Sequence, residues 1–252
     1  MKFLLTFATV LAMALAGRVV AHDSDPFTRY YANPKPDRLL GFLDRFQQGK
    51  DWNAFPPAAG FFAMIFRRHP EWSDRLIPAQ PSGRTAETIS VAFKLAGRAD
   101  IPAPVRSRLA AAGSDAKLQA EYANLPPALE AIAVATPTHL DILWGASFAR
   151  GDGRYTAMIA GFFARTADRS EAMAQDVCRL ATAIRRQDQT AVSEVASRHP
   201  DAAVRRELLF AATAGWGLAS NADQHPFVRA ALTKWVADHP GSRAGKCLST
   251  IR

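Results

Sequence analysis

Histidine, cysteine and acidic side chains are where this chain could do chemistry, and their spacing decides how much. Four of the six histidines directly precede proline, at His69, His199, His225 and His239. Such repetition invites a metal cluster, but the separations match no zinc-ligand pattern. A residue before proline is driven out of the helical region, and proline itself suits a first helical turn. The four His-Pro pairs are therefore expected at helix junctions. No metal-ligand set and no cofactor motif emerges, so neither a metal nor a cofactor is expected.

His139 and Asp141 lie close together in Thr138-His139-Leu140-Asp141. Two positions apart on a helix, they point about 200° from each other and do not jointly hold one ion. Asp141 also suits the start of a helix through the macrodipole. His139, Asp141, Trp144 and Tyr155 are nevertheless the first place to expect a ligand pocket, because aromatic rings beside titratable groups can line small concave sites. The stretch Gly145-Ala146-Ser147-Phe148-Ala149 lacks the second glycine of a nucleophile elbow and falls in a helical pattern. Glu71, Glu87, Glu130, Glu171 and Glu194 also stand in helical contexts, and no flanking motif singles one out as a hydrolase acid. Catalytic residues stay unassigned.

The two cysteines, Cys178 and Cys247, suffice for one bridge in an oxidising compartment. A disulfide between them is expected, and nothing around Cys178 supplies a general base for a catalytic thiol.

The compartment follows from the N-terminus. Lys2 is followed by an apolar run from Phe3 to Ala16, and Val19-Val20-Ala21 offers residues suited to signal-peptidase cleavage. The run is shorter than the roughly 18 residues a spanning helix needs. Residues 1–21 are therefore expected to be a signal peptide, and 22–252 a single exported all-α domain, periplasmic or secreted, with no transmembrane segment. Cleavage there makes His22 the mature N-terminus, where an amine and an imidazole resemble the copper ligands of histidine-brace proteins.

Cleavage removes Lys2 and Arg18 and no acid, lowering the formal net charge of +8 by two. The arginine pairs at 67–68, 185–186 and 205–206 are spread along the chain. That distribution suits solvated helix faces and leaves room for weak binding to an anionic surface. Together with export it argues against a nucleic-acid partner.

The elements that must position these groups read as helices. With 252 residues, 48% of them apolar, the chain is long enough to bury a sizeable core. One helix is expected from Pro36 to Gly49, a second from Pro56-Pro57 to His69, and a third capped by Ser82 or Thr85 and closed by Gly97. Pro102 and Pro104 open another, Ser114 caps the next, and Pro126-Pro127 restarts the pattern. Further stretches run over 171–186, 202–220 and 226–239. No sustained alternating pattern or Asn-Gly hairpin signal suggests a substantial sheet.

Between Pro137 and Thr166, Leu140, Leu143, Trp144 and Phe148 mark one helix, Gly151-Asp152-Gly153 a tight break, and Tyr155, Ile159, Phe162 and Phe163 another. This αα-hairpin resembles the helix pairs of tetratricopeptide-type repeat proteins. The resemblance covers about 30 residues, and no regular period of about 34 residues runs through the rest. It implies stacked helix pairs, as an irregular α-solenoid or a compact multi-helix bundle.

The leading functional expectation is an exported helical scaffold that binds a protein or small-molecule ligand. An envelope-acting hydrolase with a carboxylate or histidine in an inter-helix cleft, and an anionic surface binder, are the alternatives.

Overall fold

A computed structural model describes residues 27–49 and 51–251. The signal peptide expected over 1–21, and His22 behind it, lie outside the described residues. Among the described residues the chain forms thirteen α-helices and no strand, so the fold is all-α. It divides into two compact units, with the boundary between residues 151 and 152.

The N-terminal unit contains α1 (Phe42–Phe46), α2 (Phe55–Arg68), α3 (Ser73–Leu76), α4 (Gly83–Leu95), α5 (Ala103–Ala111), α6 (Ala116–Tyr122) and α7 (Pro137–Arg150). Its centre is α2, which opens with prolines in its first turn and buries every residue from Ala58 to Phe66. A helix apolar on all sides must be surrounded, and α7 and α4 both pack against it. The Phe66 and Phe93 rings stack between α2 and α4, with centroids 4.6 Å apart.

The α2–α7 crossing is unusually close. A Cβ on Gly60 would lie 1.8 Å from the Ile142 carbonyl oxygen, and one on Gly145 would lie 1.8 Å from the Pro57 carbonyl oxygen. Each glycine thus makes the notch that receives the other helix's backbone. Such approach brings Cα–H groups within reach of carbonyl oxygens, a weak attraction added to dense packing.

Three local expectations are corrected in this unit. The helix expected from Pro36 to Gly49 is broken: a 3-10 turn covers Pro36–Leu39, and Gly41, at φ +64°, turns the chain before α1 begins. Asp115, rather than Ser114, caps α6, accepting the Leu118 N–H at 3.0 Å. Pro126-Pro127 opens no α-helix, only a 3-10 turn at Leu129–Ala131. Beyond it Ile132 and Val134 are buried while Ala131, Ala133 and Ala135 are exposed. That period of two belongs to an extended segment, and β-branched residues favour it.

The C-terminal unit contains α8 (Arg154–Ala167), α9 (Glu171–Arg186), α10 (Gln189–Ser197), α11 (Ala202–Gln224), α12 (Pro226–Asp238) and α13 (Arg243–Ile251). The starts of α9, α10 and α11 are capped by Ser170, Asp188 and Asp201, each side chain accepting a first-turn N–H. Packing centres on α9 and α11, with α8, α10, α12 and α13 around them. The tail after Gly241 is itself helical: Ala244, Cys247, Leu248 and Ile251 form its buried stripe. Cys178 on α9 and Cys247 on α13 form the expected disulfide.

All four His-Pro pairs stand at helix junctions. His69, His225 and His239 follow the last residues of α2, α11 and α12, and His199 lies between α10 and α11. His69 and His239 stack on Trp72 and Trp235, at 3.7 Å and 4.3 Å between ring centroids. The imidazoles are used as packing plates and caps.

Candidate functional site

The residues expected to line a pocket are distributed as follows. His139, Asp141 and Trp144 belong to α7 in the N-terminal unit, and Tyr155 to α8 in the C-terminal unit, where it is fully buried. His139 Nδ1 lies 3.2 Å from the Ala135 N–H and 3.1 Å from the Ala133 carbonyl oxygen. It accepts from the first in one tautomer and donates to the second in the other. Burial lowers its pKa and favours the neutral ring. His139 thus ties the extended 133–135 segment to the first turn of α7. Trp144 is partly exposed and stacks on Phe148 of its own helix.

Asp141 differs from these. Burial of its carboxyl is the sole cause pushing its pKa up to about 7, and it takes no hydrogen bond or ion pair among the described residues. The residue still keeps part of its surface exposed. Its charge acts on the hydroxyl of Tyr122, the last residue of α6.

Tyr122 is 4% exposed and Thr88, on α4, is 0% exposed. The two hydroxyls are near enough to act on each other as a hydrogen-bonded pair, and neither meets another polar partner. Burial pushes the Tyr122 hydroxyl's pKa up; Thr88 acts against that shift, while Asp141, Glu121 and Glu87 reinforce it. The two glutamates are already engaged. Thr138 Oγ1 donates to Glu121 Oε2 at 2.8 Å, and Gln119 Nε2 donates to Glu87 Oε1 at 2.8 Å.

The cluster is therefore a set of groups that act on one another: the partly exposed Asp141 carboxyl and the Glu87 and Glu121 carboxylates on the buried Tyr122 hydroxyl, and Glu121 also on His139. Three helices supply it: α4 gives Glu87 and Thr88, α6 gives Gln119, Glu121 and Tyr122, and α7 gives Thr138, His139 and Asp141. Two of the pocket residues expected from sequence, His139 and Asp141, fall here. Nothing in the spacing of Thr88 and Tyr122 marks them, because burial of a hydroxyl within a helical pattern is decided in space. Among the described residues no group of three or more His, Cys, Asp or Glu side chains is placed to hold a metal ion.

A buried carboxyl makes stability depend on pH. Its folded-state pKa lies above the unfolded value, so it supports the fold only while it carries its proton. That contribution is full below about pH 4 and lost as the pH rises to about 7, a change on the order of 4 kcal/mol. Asp141→Asn is expected to flatten this slope and to stabilise by ~1 kcal/mol or more at pH 8. Urea midpoints at pH 4 and pH 8 measure it, and an Asn variant no more stable than the wild type at pH 8 would contradict the assignment.

Two other polar arrangements are internally satisfied. A surface groove of about 340 Å³ lies where Gln47, Ser82, Arg84 and Asp115 meet. Its groups pair with each other: Gln47 Oε1 accepts the Ser82 N–H at 2.8 Å, and Arg84 Nε donates to Asp115 Oδ2 at 2.9 Å. In the C-terminal unit the buried Asp176 receives Arg198 Nη2 on Oδ1 and His199 Nε2 on Oδ2, both at 2.7 Å. This clamp fixes α9 to the α10–α11 connection. Asp176→Ala leaves that connection without its anchor and is expected to cost about 3 kcal/mol, read as a fall in the urea midpoint.

Comparison with protein-family models, curated proteins and solved structures finds no match.

Proposed function

We propose that the chain is an exported helical binding protein whose ligand seat is the cluster of Thr88, Tyr122 and Asp141. The observation that carries the binding role is the desolvated Asp141 carboxyl, which takes no hydrogen bond or ion pair among the described residues and acts on the buried Tyr122–Thr88 hydroxyl pair. Buried polar groups are normally paired, and an orphaned group costs on the order of 1–3 kcal/mol. A ligand that supplies the missing partners recovers that energy on binding.

Export is supported by the charged and apolar N-terminal pattern and by the Cys178–Cys247 bridge, which suits a periplasmic or extracellular setting. Among the described residues no helix is long and apolar enough to cross a membrane. The likeness of Pro137 to Thr166 to tetratricopeptide helix pairs is in keeping with a scaffold of stacked helices.

Both parts are testable on the full chain. Cell fractionation with N-terminal sequencing should find a shortened chain outside the cytoplasm, starting near His22; an intact chain retained in the cytoplasm sinks the export reading. Native mass spectrometry of the purified protein should reveal a bound small molecule that Asp141→Asn and Tyr122→Phe lose. A wild type that carries and acquires none from a cell extract would sink the binding reading.

A further inference from the structure

We propose that the surface groove bordered by the end of α1 and the starts of α4 and α6 binds a neutral saccharide, gripped by the Arg84–Asp115 pair and the polar groups beside it. This is a second site, sharing no residue with the Thr88–Tyr122–Asp141 cluster.

The groove has the room and the wall chemistry for such a ligand. Its volume of about 340 Å³ falls within the range of small-molecule sites. Gln47 reaches it from just after α1, Ser82 and Arg84 from the start of α4, and Ser114 and Asp115 from the residues before α6. The remaining two lining residues are glycines, so every side chain on the wall is polar. An apolar ligand finds nothing to pack on there.

The pairs inside the groove hold these side chains in place without using all their valences. Arg84 donates through Nε to Asp115 Oδ2 at 2.9 Å, while its two Nη groups take no hydrogen bond among the described residues. Asp115 Oδ1 accepts the Leu118 N–H at 3.0 Å, and both carboxylate oxygens keep further lone pairs. Gln47 is fixed through both atoms of its amide, accepting the Ser82 N–H at 2.8 Å and donating to the Gln80 carbonyl oxygen at 3.3 Å. Ser114 Oγ takes no hydrogen bond among the described residues. Groups anchored in this way lose little freedom when a ligand arrives.

Those valences decide the ligand class. Arg84 offers only donors and Asp115 only acceptors, side by side. A hydroxyl both donates and accepts, so neighbouring hydroxyls of a sugar ring can bond to the two partners at once. An ammonium group would be repelled by Arg84, and a carboxylate or phosphate by Asp115. Lys117, the cation of α6, is held over the Trp52 ring at 3.8 Å, which leaves the charges on the groove wall balanced. Sugar hydroxyls replace solvent at these groups with hydrogen bonds of the same kind, the condition under which displacing water costs little.

Saturation-transfer NMR on the full chain tests the proposal. The neutral probes are glucose, N-acetylglucosamine, maltotriose and chitotriose; the charged ones are glucosamine and glucose 6-phosphate. At least one neutral probe is expected to bind with a Kd below about 10 mM, and each charged sugar more weakly than that probe. Arg84→Gln and Asp115→Asn should each weaken the best probe by at least about fivefold. Both variants are expected to fold, because the Arg84 side chain is 43% exposed and asparagine caps a helix as well as aspartate does; circular dichroism checks this.

The inference is overturned if no neutral probe binds, if a charged sugar binds more tightly than every neutral one, or if either folded variant keeps the wild-type affinity. The binding role of the Asp141 cluster is judged separately: a molecule held by the wild type and lost by Asp141→Asn supports it even where every sugar fails.

Discussion

Gly60→Ala and Gly145→Ala are each expected to abolish cooperative folding of the N-terminal unit or to destabilise it by more than ~3 kcal/mol. The added methyl carbon would stand 1.8 Å from a carbonyl oxygen of the facing helix. No rotamer relieves that overlap, because both partners are main chain. The helices must separate, and separation loosens a core that holds Phe61, Phe62 and Phe66. Circular dichroism melts of the two variants test this. Gly161→Ala is the control: nothing lies within 4 Å of its added carbon, on α8. Alanine there removes only a helix-propensity penalty and should stabilise by ~0.5–1 kcal/mol. Melting temperatures that move alike for all three would refute the notch.

Breaking the Cys178–Cys247 bridge is expected to cost the C-terminal unit about 4 kcal/mol, because the cysteines stand 69 residues apart in sequence. The loss should concentrate on α13. Asp168 holds its N-terminal end, accepting from Ala244 N at 2.9 Å and Ser242 Oγ at 3.0 Å. Arg185 of α9 donates to the Ile251 carbonyl at its other end while pairing with Asp223 at 2.7 Å. The bridge fastens the middle. Cys247→Ser should leave α9 and α11 folded and let α13 exchange its amide hydrogens faster. If exchange rises equally across the unit, the bridge constrains the whole unit instead of one helix. Added reductant should reproduce the effect in the wild type and leave Cys247→Ser unmoved.

Helix starts were the legible part of the sequence. Proline in first turns, Ser82 and the His-Pro pairs placed α2, α4, α7 and α12 closely, because these signals act within a few residues of where they stand. Pro36 to Gly49 misled: the apolar spacing is helical, yet Gly41 adopts a left-handed conformation that spacing does not encode. Two helices were missed for a different reason. Gln189–Ser197 buries only Val192 and Val195, and Arg243–Ile251 follows a proline and a glycine in a stretch that reads as a tail. Both depend on tertiary support.

The candidate site divides between residues that spacing marks and residues that it does not. His139 and Asp141 drew attention because titratable side chains stand out beside aromatics. Their roles then parted: one serves as a tie for the preceding segment, and the other ends without a partner. That difference arises from what α4 and α6 place opposite them, across some 50 residues of sequence. Tyr122 ends the helix α6, and what its hydroxyl meets is decided only in space.

The paired glycine notches have a consequence for Asp141. Ile142, whose carbonyl enters the Gly60 notch, follows Asp141 directly, and Gly145 lies about one turn beyond it. A helix advances 1.5 Å and rotates about 100° for each residue, so a slip of one position would aim the carboxyl elsewhere. The crossing works as an indexing pin: the same two atoms of clearance that seat α7 on α2 also fix its angular setting. The carboxyl's direction is thereby set by Gly60 and Gly145, residues outside the cluster itself.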